Sequence, residues 1–180
     1  MDTFLVLPGY GGSGPLHWQT LWEEKDSRFK RVDQKDWNHP VRSEWVQNLD
    51  NAISEADGEV ILVAHSLACL LVPHWAASAL PEALNKIKAA FLVGPPDPDG
   101  PEFPKDSESF RPFPDSALPF RSLVVASTDD PYAIVGFCLD CSQTWGSRFE
   151  VIGPKGHINA DSGLGDWVDG RALLDGLIRD

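Results

Sequence analysis

The sequence predicts an α/β fold, a three-layer α/β/α sandwich with a mostly parallel, doubly wound sheet of about six strands. Short, continuous apolar runs favour this prediction, because strands buried on both faces of a parallel sheet are apolar throughout. These runs alternate with longer segments that carry apolar residues at helical spacing, as in βαβ units. A length of 180 residues fits a single domain that spans positions 1–180.

The apolar runs and helical patterns follow one another in order along the chain. Strands are predicted over 4–7, 60–65, 89–94 and 121–127, with weaker candidates over 29–33 and 148–152. Helices are predicted over 15–25, 41–56, 67–79, 131–145 and 166–178. The segment 95–119 is rich in Pro, Asp and Ser. It is interpreted as a solvated connection or as a flap over a functional site, since long loops in compact domains are often functional.

The charge and the cysteine content limit the classes of partner. A formal net charge of -12 and a pI of about 4.7 disfavour binding to nucleic acid or to anionic membranes. The start of the chain lacks the features of a signal peptide, and no apolar stretch approaches the roughly 18 residues of a membrane span. Three cysteines, an odd number, suit a reducing compartment. A cytoplasmic location is therefore expected, while the oligomeric state stays open.

The segment that follows the apolar run 60–65 predicts a nucleophilic serine. Ser66 stands between this strand and an apolar helix, as in a nucleophile elbow. Such a turn holds the hydroxyl clear of the sheet, at a helix N-terminus that favours developing negative charge. Ala64 and Ala68 occupy the places of the two glycines in the G-x-S-x-G pattern, and both are small. The alternative is a serine that only caps the helix.

Two later segments supply the base and the acid that a serine nucleophile needs. Asp129 and Asp130 follow the strand over 121–127, and His157 follows the last strand. In α/β-hydrolases the nucleophile, acid and histidine come in this order along the chain. The carboxyl ends of parallel strands meet at one edge of the sheet. We therefore predict that Ser66, His157 and one of the two aspartates act together, although either aspartate could be a helix N-cap before Pro131.

The first loop and the residue after the serine predict an oxyanion hole. One backbone N–H group normally comes from the residue after the nucleophile, here Leu67, and the other from the loop after the first strand. That loop reads PGYGGSG, and Tyr10 is the candidate donor. Glycine lets a backbone approach a substrate closely. Gly9 and His65, the neighbours of Tyr10 and Ser66, are predicted to contact the substrate.

In these segments the chain resembles the small α/β-hydrolases that include retinoblastoma-binding protein nine and the YdeN-like bacterial serine hydrolases. The similar segments are PGYGGSGPLHWQTLWE, DWNHP with the following Trp45, VAHSLAC, LPFRSLVVASTDDPY and GHINADSGLGDW. Together they span nearly the whole chain. The resemblance implies a minimal fold without a lid domain, with Ser66 as the nucleophile and His157 as the base. It also implies that the acid is the aspartate before proline, hence Asp130.

The resemblance further implies that His17 and Trp18 lie near the active site, where they would line a substrate pocket. Packing of Trp18 against Trp22 in the core is the alternative. The expected activity is that of a carboxylesterase-like serine hydrolase. It would cleave an ester, thioester or amide of a small-molecule acyl substrate through an acyl-enzyme, and this chemistry requires no metal and no organic cofactor.

Three other interpretations compete with this one. Gly9, Gly11 and Gly14 fit the dinucleotide-binding pattern G-x-G-x-x-G, and Asp33 lies about 20 residues further on. That interpretation leaves the ordered serine, aspartate and histidine unexplained. The pair Cys138 and Cys141 has C-x-x-C spacing but falls within a predicted helix, which favours core or surface cysteines over a redox site. A non-catalytic interaction protein on a hydrolase scaffold is the third interpretation.

Overall fold

A computed structural model describes residues 2–179 and places six parallel strands in one sheet. The strands are β1 (Thr3–Leu7), β2 (Phe29–Arg31), β3 (Val60–His65), β4 (Ile87–Val93), β5 (Ser122–Ala126) and β6 (Arg148–Val151). Their order across the sheet is β2-β1-β3-β4-β5-β6. The predicted fold class is confirmed, and every strand pair in the described range is parallel.

The order of the strands locates the crevice in which a ligand would bind. The chain runs from β1 to β2 on one side and then crosses to β3 on the other side of β1. Loops that leave the carboxyl ends of β1 and β3 therefore diverge, and open α/β sheets bind ligands at such a switch point. The loop at 8–17 follows β1 and Ser66 follows β3, so both lie at this crevice.

Helices cover both faces of the sheet and bury two separate cores. The helices are α1 (Trp18–Lys25), α2 (Arg42–Glu55), α3 (Ala68–Ala76), α4 (Pro81–Asn85), α5 (Val135–Trp145) and α6 (Val168–Arg179). Buried residues of α2, α3 and α5 share one core, and those of α1 and α6 share the other. None of the helices within residues 2–179 combines the length and apolarity required to traverse a lipid bilayer.

Two predicted helices begin later than expected because side chains at their starts form other structures. The Nδ1 atom of His17 accepts the N–H of Gln19, so His17 caps α1 and the helix begins at Trp18. A carboxylate oxygen of Asp130 accepts the N–H of Tyr132, which makes a turn. The following helix α5 consequently begins at Val135 instead of at residue 131.

The segment 95–119 is not wholly solvated. It contains a 3₁₀ helix over Lys105–Phe110, and the side chains of Phe103 and Phe110 are buried in the core formed by α2, α3 and α5. The Trp45 ring packs edge-to-face against Phe110, with centroids 5.6 Å apart. These aromatic contacts fix the segment to the body of the protein beside the carboxyl edge of the sheet.

Candidate active site

A strained turn presents Ser66 at the end of β3. Ser66 has a φ of 56°, whereas the next residue, Leu67, is already in the right-handed helical region. A positive φ at a residue other than glycine is uncommon and concentrates at functional sites. The N–H of Ser66 donates to the carbonyl of Val93 at the end of β4, at 2.9 Å. Ala64 and Ala68 on either side are fully buried, so small side chains occupy the tight space around the turn.

The loop after β1 packs directly against this turn through Gly9. A Cβ atom at Gly9 would lie 2.8 Å from the carbonyl oxygen of His65 and 2.8 Å from the Cβ of Ser66. Real Cβ atoms essentially never come this close to other atoms. Gly9 was predicted to contact the substrate. In the part of the chain that the structure describes, however, Gly9 is not one of the residues that line the pocket. Its place against the elbow explains why a glycine stands there.

Hydrogen bonds join Ser66, His157 and Asp130 in one chain. The Nε2 atom of His157 is 2.7 Å from the Oγ atom of Ser66. The Nδ1 atom of His157 is 2.8 Å from one carboxylate oxygen of Asp130 and 3.0 Å from the other. An ionised carboxylate only accepts hydrogen bonds, so Nδ1 carries the proton and Nε2 is free to accept the serine hydroxyl. This arrangement can take up the hydroxyl proton as Ser66 Oγ attacks an electrophile.

The two neighbouring aspartates have different partners. The Asp130 side chain is 2% exposed and contacts His157. An Asp129 carboxylate oxygen instead accepts the Ser127 hydroxyl at 2.8 Å and the N–H of Gly156 at 2.7 Å. These donors, the Ser127 hydroxyl first, lower the pKa of Asp129. The structure thus brings Asp130, and not Asp129, to the imidazole.

A pocket of about 130 Å³ opens beside the serine. It is lined by Tyr10, Gly12, His17, His65, Ser66, Leu67, Pro96, Pro104, Tyr132, His157 and Asn159. The segment 95–119 therefore forms one wall through its two prolines. Sequence analysis did not single out Gly12, Pro96, Pro104, Tyr132 or Asn159 as site residues. Tyr132 lies only two residues after Asp130, and its ring centroid is 4.3 Å from that of His157.

Gly94 is another residue that the sequence analysis missed. It directly follows β4 and has a φ of 62°. A Cβ atom at Gly94 would lie 3.4 Å from a carboxylate oxygen of Asp130 and 3.6 Å from His157 Nδ1. A glycine directly after a central strand is the signal that could have identified it, because such a position often marks close approach of other groups.

Both predicted oxyanion donors belong to residues of the pocket lining. Tyr10 and Leu67 line the same pocket as Ser66. Among residues 2–179, the backbone N–H groups of Tyr10 and Leu67 have no hydrogen-bond acceptor. Two unpaired N–H groups beside a serine hydroxyl could stabilise negative charge that develops on a bound carbonyl oxygen.

The two histidines predicted to bind substrate do line the pocket, and both are buried. Burial, with contributions from Arg31 and His157, lowers the pKa of His17 to about 3. Burial is also the main cause that lowers the pKa of His65 well below its usual value, and His65 Nε2 donates to the carbonyl oxygen of His157 at 2.9 Å. Both imidazoles are therefore neutral near pH 7.

Trp18, by contrast, does not reach the pocket. Its side chain is 1% exposed and packs against Trp22 and Trp167, with ring centroids 4.6 Å and 5.2 Å away. Its indole N–H donates to the carbonyl of Ile158 at 2.8 Å. The structure thus favours the alternative of core packing for Trp18, because the ring points from α1 into the core shared with α6.

The competing motifs have structural explanations. In the glycine-rich loop, Gly9 packs against the elbow, and the N–H of Gly11 donates to the carbonyl of Trp37 at 2.9 Å. Cys138 and Cys141 are buried within α5, as the prediction of core or surface cysteines allowed. Burial raises the pKa of Cys138 to about 12 and raises that of Cys141 as well, so neither is a reactive thiolate.

Comparison with known proteins connects this geometry to a family. The profile of the serine hydrolases matches residues 4–176 of the chain. The chain belongs to the serine hydrolase family. This serine hydrolase is similar to a YdeN-like hydrolase from Pectobacterium atrosepticum, with 26% identity, a TM-score of 0.87, and coverage of 99% of this chain and 91% of that one.

More distant structures share the fold of this serine hydrolase. The ydeN gene product from B. subtilis is 17% identical with a TM-score of 0.78, and each chain is covered completely. The mouse alpha/beta hydrolase domain-containing protein 10 is 16% identical with a TM-score of 0.72, covering 98% of this chain and 89% of that one. Comparison with curated protein sequences finds no match.

Proposed function

We propose that this serine hydrolase cleaves small acyl esters, with thioesters or amides as further substrates, through an acyl-enzyme on Ser66. The observation that carries the proposal is the hydrogen-bond chain from Asp130 through His157 to Ser66 Oγ, at 2.8 Å and 2.7 Å. The free Nε2 lone pair faces the hydroxyl, and the acid is held on the other ring nitrogen. This is the order of groups that a nucleophilic serine requires.

In the proposed reaction Ser66 Oγ attacks the carbonyl carbon while His157 Nε2 takes the hydroxyl proton. Asp130 stabilises the imidazolium that forms and keeps the ring in its orientation. The carbonyl oxygen becomes an oxyanion that accepts the N–H groups of Tyr10 and Leu67, each worth about 3 kcal/mol in the transition state. His157 then returns the proton to the leaving group. Water attacks the acyl-enzyme by the same route and releases the acid.

The dimensions of the pocket support a small acyl group. Its volume of about 130 Å³ is well below the roughly 300–1,000 Å³ of pockets that enclose drug-sized ligands. Pro96, Pro104 and Tyr132 give it apolar walls, which suits a short hydrocarbon chain. Two of these walls, Pro96 and Pro104, belong to the 95–119 segment, which buried phenylalanines hold against the core.

Labelling with a fluorophosphonate probe tests the assignment of the nucleophile. The native protein is expected to form a covalent adduct, and peptide mapping is expected to locate it on Ser66. Ser66→Ala should abolish labelling, while Ser116→Ala, which alters an exposed serine, should label like the parent. Circular dichroism checks that both variants are folded. Labelling that persists in Ser66→Ala, or an adduct on another residue, would contradict the proposal.

A further inference from the structure

The short segment that carries His157 has an unfavourable backbone conformation. Gly156 and Ile158, on either side of the histidine, have φ values of 54° and 51°. Glycine tolerates such a value, but a β-branched residue in this region is a genuine outlier. Conformations of this kind persist only where the surrounding structure fixes them. The position of the imidazole therefore depends on groups that hold this backbone.

Three side chains hold three consecutive residues of this segment. The Asp129 carboxylate accepts the N–H of Gly156 at 2.7 Å. His65 Nε2 donates to the carbonyl of His157 at 2.9 Å, and the Trp18 indole donates to the carbonyl of Ile158 at 2.8 Å. The three side chains come from the loop after β5, from the last residue of β3 and from the first residue of α1. They approach residues 156–158 from separate parts of the fold.

We propose that Asp129, His65 and Trp18 are positioning residues that hold the backbone of the 156–158 segment, so that the imidazole of His157 stays within reach of Ser66. The proposal rests on the proposed function, because it assigns these residues a part in presenting the base. None of the three needs to touch the reacting atoms. Their hydrogen bonds act on the main chain, whereas Asp130 acts on the ring.

His65 has a special place among the three because it directly precedes Ser66. Its hydrogen bond joins the residue before the nucleophile to the residue that carries the base. A carbonyl oxygen can only accept, so the proton of the neutral ring lies on Nε2. One side chain thereby links the elbow to the loop after β6, and a movement of either would be transmitted to the other.

A pair of substitutions at His65 distinguishes the effect of losing the hydrogen bond from the effect of changing the size of the side chain. His65→Gln retains an amide N–H near the place of Nε2, whereas His65→Leu fills the space without a donor. We expect kcat of His65→Leu to fall about tenfold to hundredfold, as misplacement of a catalytic group commonly causes, with KM within about threefold of the parent. His65→Gln is expected to recover most of the lost kcat. Equal losses in the two variants, or none in His65→Leu, would overturn the proposal.

A second pair, at Asp129, guards against failure of the His65 variants to fold, since Asp129 is exposed. Asp129→Asn keeps an oxygen that can accept the N–H of Gly156, and Asp129→Ala removes it. Hydrogen exchange measured by mass spectrometry on peptides that cover residues 153–160 reports the segment itself. We expect about tenfold faster exchange there in Asp129→Ala and His65→Leu, with Asp129→Asn and His65→Gln close to the parent.

The two kinds of readout distinguish this proposal from the proposed function. If the parent protein is not labelled on Ser66, the proposed function fails, yet the exchange experiment still tests whether these side chains hold the segment. If Ser66 is labelled normally but exchange and kcat are unchanged in Asp129→Ala and His65→Leu, only the positioning proposal is overturned.

Discussion

Replacing Gly9 by alanine tests how closely the first loop supports the nucleophile. The added Cβ would lie 2.8 Å from the His65 carbonyl oxygen and from the Cβ of Ser66, and 3.0 Å from the Leu67 nitrogen. Ordinary Cβ contacts begin at 3.4 Å, so the loop and the elbow must separate by about half an ångström. None of the three atoms lies at the flexible end of a side chain. The shift must therefore move the backbone that holds the serine and one predicted oxyanion donor.

The size of this steric clash allows the losses of stability and of kcat in Gly9→Ala to be estimated. Overpacking of this kind costs about 1–3 kcal/mol, and each kcal/mol lowers Tm by about 2–4 °C in a protein of this size. Since displacement of a reacting group by about 1 Å can cost a hundredfold, we expect kcat to fall about tenfold or more. The assays are thermal unfolding and steady-state hydrolysis of p-nitrophenyl acetate.

Gly14→Ala is the matched control for this experiment. It alters the same loop, but a Cβ at Gly14 would meet no atom within 4 Å. Its Tm and kcat are expected to stay close to those of the parent, since surface substitutions usually change stability by less than about 0.5 kcal/mol. The steric reasoning would be refuted if Gly9→Ala and Gly14→Ala behaved alike in both measurements.

Two further predictions concern the substrate and the pH. Because the pocket is small, kcat/KM should be higher for p-nitrophenyl acetate and butyrate than for the octanoate; a preference for the octanoate would contradict the pocket argument. Burial lowers the pKa of His17 to about 3 and that of His65 well below its usual value. Below pH 6.5 the unfolded chain therefore binds more protons than the folded protein does. The free energy of unfolding should therefore be highest above pH 6.5. It should decrease as the pH is lowered below 6.5, by up to about 1.4 kcal/mol per pH unit for each histidine. Urea unfolding at pH 7, 6 and 5 measures the slope, which His17→Gln should reduce relative to His39→Gln at an exposed site; equal slopes would contradict it.

The central strands were predictable because burial on both faces leaves little choice of residue. The run over 60–65 coincides with β3, whose six residues are all buried. Helix starts were less predictable, because local hydrogen bonds decide them. His17 caps α1, and the turn at Asp130 delays α5. The short helix α4, Pro81–Asn85, was missed because none of its five residues is buried. The sequence therefore contains no apolar residues at helical spacing that would predict it.

The candidate site was predictable to the extent that its residues follow strands. Ser66, Asp130 and His157 each stand just beyond an apolar run, and the parallel sheet brings the ends of such runs together. The role of Trp18 was not predictable. Its partner, the carbonyl of Ile158, is 140 residues away in the chain, and nothing in the local pattern distinguishes a pocket-lining tryptophan from a core tryptophan with an internal acceptor.

Residues in the left-handed backbone region surround the candidate site. Ser66, Gly94, Gly156 and Ile158 all have positive φ, and they surround the hydrogen-bonded carboxylate, imidazole and hydroxyl. Ser66 and Gly94 directly follow β3 and β4, whereas Gly156 and Ile158 flank His157 in the loop after β6. In this arrangement the imidazole lies within 3 Å of both the carboxylate and the hydroxyl. Such conformations at residues other than glycine cost about 1–3 kcal/mol each, and burial of the apolar strands beneath them can offset that cost. Because the strain is balanced by packing rather than by local preference, substitutions in the supporting contacts should affect the site before they affect the fold.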